Sequence, residues 1–230
     1  MELYSSQILI KWNYSNEPPR TTLRIFNNFD NQLHYLLNIF EMKPTIDQVI
    51  KAMEKIGAVV FREPFSINLF GVRTNENTAD TFNDWGGAFY WDSKGKRHEL
   101  IIPITTDAGV FYRLKPMNKL GTAILIHDKQ YRGCYQLMDK GHNGTKAFRQ
   151  IKPMLYWRDN DKDSQLEFHG KIYEEIAFTN FHYMGKGNKV GNWSAGCQGA
   201  SVANMNALFK FVEVQKGRVY SYTLIHETTL

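Results

Sequence analysis

From residue 58 onward the chain is a succession of short aromatic or β-branched runs, separated by Gly, Asn, Asp and Pro. Runs of this length with period-two character, punctuated by turn formers, specify strands rather than helices. Ten are read as strands, at 58–62, 67–73, 87–91, 98–105, 109–114, 121–127, 131–137, 152–158, 171–184 and 218–226. Two helices flank them. Thr45 with Gln48 three residues on forms a capping-box pattern ahead of the apolar face Ile46, Val49, Ile50 and Met53, and Gly57 is placed to end the helix. The second runs from about Ser201 to Lys216, with Val202, Met205, Leu208, Phe209 and Val212 inward and Gly217 beyond it. The expected fold class is mainly β (α+β), with a few flanking helices.

The first 43 residues have a different texture. An apolar stretch, Gln7 to Trp12, runs into a turn at Glu17-Pro18-Pro19, and a helix pattern after Asp30 (Leu33, Leu36, Leu37, Phe40) is stopped by Pro44. At 230 residues the chain suits one large domain with a small extension. It is divided into an N-terminal extension of unassigned role, 1–43, and a domain over 44–230. Hydrophobic residues at 43% exclude disorder as the overall description. No apolar run is long enough to cross a bilayer, and the first residues have no basic lead followed by an apolar stretch, so neither a membrane span nor a secretory signal is expected. Two cysteines, Cys134 and Cys197, are too few for a disulfide scaffold or a cysteine-only zinc site. The net charge of +5 fits an anionic partner, but small basic clusters such as Lys94 to Arg97 and Lys186 with Lys189 accompany no nucleic-acid module, and nucleic-acid binding is not expected.

The chemistry concentrates between Phe181 and Gln198. His182 ends a strand pattern in which Ile176, Phe178, Asn180 and His182 alternate onto one face. A glycine-rich loop leads to Ser194-Ala195-Gly196-Cys197, a few residues before the helix near Ser201. A cysteine near a helix N-terminus feels the positive end of the dipole, which lowers its pKa. A histidine across the loop can take the thiol proton and return it to a leaving group. Gly196 lets the backbone approach a substrate carbonyl, and the amides around it and Cys197 can hold an oxyanion. The alternative is that Cys197 is a small buried hydrophobe and His182 a core residue at a strand end.

This segment resembles the active-site signature of the L,D-transpeptidase catalytic-domain family: a His, a glycine-containing loop, then Ser-x-Gly-Cys. His182 and Cys197 stand fifteen positions apart, close to that family's spacing. Thr105 to Tyr112 is similar to the family's threonine/glycine turn and strand upstream of its active site. The resemblance is closest over 176–198, looser over 100–138 and absent before residue 44. The Ser194-to-Gln198 form resembles a compact phage or prophage variant. Ala195 stands where most members have a second histidine, and Gly199 where they have an arginine.

The resemblance implies an L,D-transpeptidase-like β-sandwich over 44–230. It implies a cysteine peptidase or transpeptidase acting on peptidoglycan stem peptides, more hydrolytic than cross-linking. Cys197 is then the nucleophile, His182 the acid and base, and Gly196 and Ser194 the oxyanion and substrate-binding residues. No cofactor or metal is implied, and a monomer is expected. Without a secretion signal, the enzyme is expected to be made in the cytoplasm and to reach the wall through phage-type release or as a virion component. A catalytically silent wall-binding or virion module on the same fold, and a cytoplasmic cysteine amidase, are the alternatives.

Lesser signals have plainer readings. Asp159, Asp161 and Asp163 match the opening of a calcium loop, but Ser164 replaces its glycine and Gly170 its bidentate glutamate, so an acidic hairpin turn is expected. Cys134 is assigned to packing, and His127 and His142 to solvated or structural roles. No paired-histidine spacing supports a zinc site from His127, His142 and His182. The polar loop from Thr74 to Trp85 is read as a surface loop.

Overall fold

A computed structural model of the protein describes residues 43–76, 80–185, 187 and 189–230. The Gln7–Trp12 stretch and the helix pattern after Asp30 lie outside these residues, as do part of the Thr74–Trp85 loop and Lys186. Residues Pro44–Leu230 form one compact unit.

The fold is mainly β. Helix α1 (Ile46–Lys55) is followed by strands β1 (Asn68–Arg73), β2 (Asp84–Trp91) and β3 (Arg97–Ile104), and by the single turn α2 (Val110–Leu114). Next come β4 (Thr122–Leu125), β5 (Lys129–His142), β6 (Thr145–Gln150), β7 (Met154–Asp159), β8 (Tyr173–Glu175), β9 (Phe181–Tyr183) and β10 (Gln198–Ala200). Helix α3 (Val202–Val212), strand β11 (Val219–His226) and a terminal 3₁₀ turn complete the chain. Eight strands form one sheet in the order β10-β9-β6-β5-β11-β1-β2-β3, and β4-β7-β8 form a smaller one. Among the described residues no helix is long and apolar enough to cross a membrane.

The large sheet is covered on both faces. Phe70, Val72, Phe89 and Ile225 pack against Ile46, Val49 and Met53 of α1. On the other face Leu69, Tyr90, Tyr222 and Leu224 join Met205, Leu208, Phe209 and Val212 of α3 and Leu125, Met154 and Tyr156 of the smaller sheet. This is why β1 is buried at every position instead of alternating.

Helix α1 starts as its sequence dictates. Thr45 Oγ1 accepts from the Gln48 amide at 3.3 Å, and Gln48 Oε1 accepts from the Thr45 amide at 2.8 Å. Gly57 follows in the left-handed region at φ +72°. Helix α3 takes Ser201 as its N-cap, but it stops at Val212 rather than near Lys216. The Gln215 side chain accepts from the Ile67 amide and donates to the Gly217 and Val219 carbonyls, and these tertiary bonds replace another helical turn. Val202, expected inward, is 39% exposed.

Other differences have local causes. The expected strand at 58–62 does not form, because its amides find side-chain acceptors: Val59 donates to Gln130 Oε1 and Phe61 to Asn68 Oδ1. The expected strand at 109–114 is helix α2, closed by bonds from Tyr112 and Arg113 to the Gly109 carbonyl. The run 171–184 is broken at Phe178, whose φ of +56° ends the alternation, and only β8 and β9 remain.

A buried polar knot fastens the end of β3. Asp84 accepts from the Thr74 amide at 2.9 Å and from the Thr106 amide and hydroxyl, both at 2.7 Å. Arg73, fully buried, donates to Thr106 Oγ1 and carbonyl and to the Leu125 carbonyl, and pairs with Asp107 at 3.2 Å. Asp84→Ala leaves two buried backbone donors without acceptors, at about 1–3 kcal/mol each. Thr45→Ala, losing only the exposed cap, is expected to cost about 1 kcal/mol. Urea unfolding of the two variants checks the ranking.

Candidate functional site

Strands β9 and β10 run parallel, with Phe181 opposite Gln198 and His182 opposite Gly199. The Gln198 amide donates to the Asn180 carbonyl, so Cys197 continues the register opposite Asn180. The paired strands set His182 and Cys197 at one edge of the sheet, and among the described residues no hydrogen bond joins Cys197 Sγ to His182 Nε2.

The His182 ring is almost completely buried. Its Nδ1 lies 2.7 Å from the Tyr183 carbonyl. A carbonyl only accepts, so Nδ1 carries the hydrogen and Nε2 presents a lone pair. Nε2 is buried without a hydrogen-bond partner among the described residues. Burial pushes the His182 pKa down to about 3, assisted by the neighbouring His142.

Burial likewise pushes the Cys197 thiol up to about 12, against a smaller opposing effect of the backbone at Asn180. The expected lowering by a helix dipole is not found. Strand β10 separates Cys197 from the first turn of α3, and the dipole's effect falls off within that turn. The resting pair is a neutral thiol and a neutral imidazole. Cys197 Sγ donates to the Phe178 carbonyl at 3.6 Å, the carbonyl of the residue with left-handed backbone.

The turn before Cys197 is held from within. Ser194 is fully buried; its hydroxyl accepts from the Gly196 amide at 3.1 Å and lies 3.0 Å from the Asp107 carbonyl and 2.9 Å from that of Cys197. The Ser194 hydroxyl and the Gly196 amide thus bond to each other within the turn. Gly196, at φ +121°, would bring a Cβ to 2.5 Å from the Ala123 carbonyl oxygen. Gly199 has no room for any side chain: a Cβ would meet the Met184 side chain and, at 2.5 Å, the His182 carbonyl. The segment 105–109 docks on this turn through paired Thr105–Gly199 bonds and the Gly109 amide to the Ser194 carbonyl.

A cavity of about 290 Å³ is lined by Tyr112, Met117, Arg158, Glu175, Phe178 and Ala195, and neither Cys197 nor His182 is in its walls. Arg158 and Glu175 form an ion pair at 2.6 Å in its wall. Met117 is 77% exposed at its rim. A larger cavity of about 400 Å³, lined by Phe61, Arg132, Lys152, Gln215 and Val219, likewise has neither histidine nor cysteine in its walls.

From the sequence, His142 is expected near a turn and able to line the cleft, with a solvated or structural role preferred and no contact with His182 foreseen. Its ring stacks on His182 with centroids 3.8 Å apart and planes 18° from parallel. No local motif marks it, but Asn143-Gly144 is a strong hairpin signal, and the β5–β6 hairpin turns there with both residues at positive φ. His127 sits elsewhere, against Trp157, Phe168 and His226, so the three histidines do not converge. Cys134 is a free, buried thiol pushed up to about 12 by burial. In the acidic loop, Asp159, Asp161 and Glu167 bring oxygens within 4.8 Å of one another, and burial raises Asp159 to about 6. Asp159, Asp161 and Asp163 each also accept from a backbone amide two residues on.

Compared with known proteins, the chain matches no family model, no curated protein and no solved structure.

The His182 environment has a pH signature. Its folded-state pKa lies near 3 and its unfolded value near 6.5, so the unfolded chain binds the proton first as pH falls. The neutral ring's contribution is complete above pH 6.5 and is lost as pH drops toward 3. Denaturant titrations of wild type and His182→Phe should diverge with falling pH in that window, by about 1.4 kcal/mol per pH unit in the variant's favour.

Proposed function

We propose that the protein is a cysteine enzyme that opens amide bonds in peptidoglycan stem peptides, in the manner of the L,D-transpeptidase family. The observation that carries this reading is the His182 tautomer. The Tyr183 carbonyl holds the hydrogen on Nδ1 and leaves a buried Nε2 lone pair without a partner among the described residues, on a strand paired with the one that directly follows Cys197.

The reaction begins with the thiol turning from the Phe178 carbonyl to Nε2. As sulfur attacks the carbonyl carbon, the thiol proton passes to Nε2 and the C=O π bond becomes an oxyanion. Collapse re-forms the carbonyl and breaks the C–N bond, and the amine leaves with the proton from Nε2. Water then attacks the thioester carbon as His182 Nε2 takes its proton, and collapse breaks the C–S bond, releasing the carboxylic acid and returning the proton from Nε2 to the Cys197 sulfur. Because both groups are neutral at rest, the proton moves during attack rather than before it. The Cys197 amide, which has no protein acceptor among the described residues, is the donor best placed for the oxyanion. Ala195 leaves the cavity wall open where a histidine side chain would project. The enzyme acts at the bacterial wall, reached through phage-type release or as part of a virion, and its positive charge suits anionic wall polymers.

A catalytically silent wall-binding module is the second reading, favoured by the burial of Cys197 and its bond to the Phe178 carbonyl. Incubation with purified sacculi and mass spectrometry of the muropeptides separates the two. The enzyme reading expects new stem-peptide products, reduced about a thousandfold or more by Cys197→Ala. Sacculus binding with equal product profiles from both proteins establishes the silent module.

A further inference from the structure

The His142–His182 stack links the site to a strand that shares no motif with it. Strand β5 pairs regularly with β6 as far as Met138, then shifts register before His142 pairs with Thr145. Such irregularities re-aim side chains, and this one delivers the hairpin end over β9. Asn180 fixes what arrives there. The Gln150 backbone amide donates to Asn180 Oδ1 at 2.9 Å, which leaves Nδ2 facing His142 Nδ1 at 3.0 Å. An amide NH₂ only donates, so His142 Nδ1 must be the acceptor and the hydrogen of the neutral ring sits on Nε2. The Asn143 amide, able to turn its oxygen toward that hydrogen, is 3.1 Å from Nε2.

We propose that His142 is a positioning residue for His182: locked as a neutral ring by Asn180, it covers one face of the His182 imidazole and keeps Nδ1 on the Tyr183 carbonyl with Nε2 toward Cys197. The proposal rests on the reading of His182 as general base. A charge on His142 would oppose the proton that His182 must accept, and holding His142 neutral removes that opposition. Burial and the Arg149 charge on β6 both disfavour protonation of His142. His182 feels His142 and the Tyr183 carbonyl, and no carboxylate acts on either ring among the described residues.

The test compares full-length wild type, His142→Ala and His142→Phe. Nitrogen-15 NMR of the histidine rings reads tautomer and titration, and release of stem-peptide product from sacculi reads kcat and KM. Wild type is expected to show His182 as the Nδ1–H tautomer, uncharged to well below pH 6. His142→Ala should give a mixture of His182 tautomers, a titration midpoint raised by about one unit, and kcat lowered about 10- to 100-fold with KM little changed. His142→Phe keeps a ring on that face without a titratable nitrogen, and should retain the tautomer and most of kcat. An unchanged His182 tautomer and midpoint in His142→Ala would overturn the proposal. Absence of product from wild type would instead overturn the enzymatic reading, while the NMR comparison would still decide the role of His142.

Discussion

The buried Arg73 guanidinium is the constraint on which the site depends. It cannot remain in the interior unpaired, because an uncompensated buried charge costs several kcal/mol. Its donors are therefore distributed to Thr106, to the Leu125 carbonyl and to Asp107. Those bonds, with Asp84 accepting from the Thr106 amide, fix residues 105–107 after β3. Thr105 in turn bridges Gly199, and the Asp107 carbonyl meets Ser194 Oγ. Gln198 Nε2 donates to the Thr106 carbonyl and accepts from Tyr222 through Oε1. A polar knot at the end of the sheet thus holds the turn that carries Cys197.

The same burial that makes the turn rigid sets its chemistry. Desolvation disfavours the charged forms of both Cys197 and His182, so the resting site is uncharged. The site therefore displays no activated thiolate, and the Cys197 thiol is held by the Phe178 carbonyl. Phe178 carries a left-handed φ that is unfavourable for a bulky side chain, and its ring is 55% exposed at the cavity wall. A residue with unfavourable backbone geometry thus both accepts from the thiol and lines the cavity.

Elements defined by local chemistry were legible in the sequence. The capping box at Thr45 and Gln48, the helix start near Ser201 and the aromatic strands from Asn68 to Ile104 depend on neighbouring residues. What long-range contacts decide was not legible. Val110, Phe111 and Tyr112 are strand formers that turn as a helix because Gly109 is pinned to Ser194. The three-residue β10 is too short for any periodicity. His142 lies forty residues from His182, and only a register shift in β5 joins them. Motif spacing likewise does not encode the bond by which the Gly196 amide and the Ser194 hydroxyl close the turn.

The central claim is that Cys197 carries the acyl group. Acid quenching of the protein during turnover of a stem-peptide substrate, followed by intact-mass and peptide mass spectrometry, tests it most directly. The account predicts an adduct of the stem peptide minus its leaving amine on the peptide containing Cys197, and none on Cys134. Product formation without such an adduct, or an adduct placed on another residue, would contradict it.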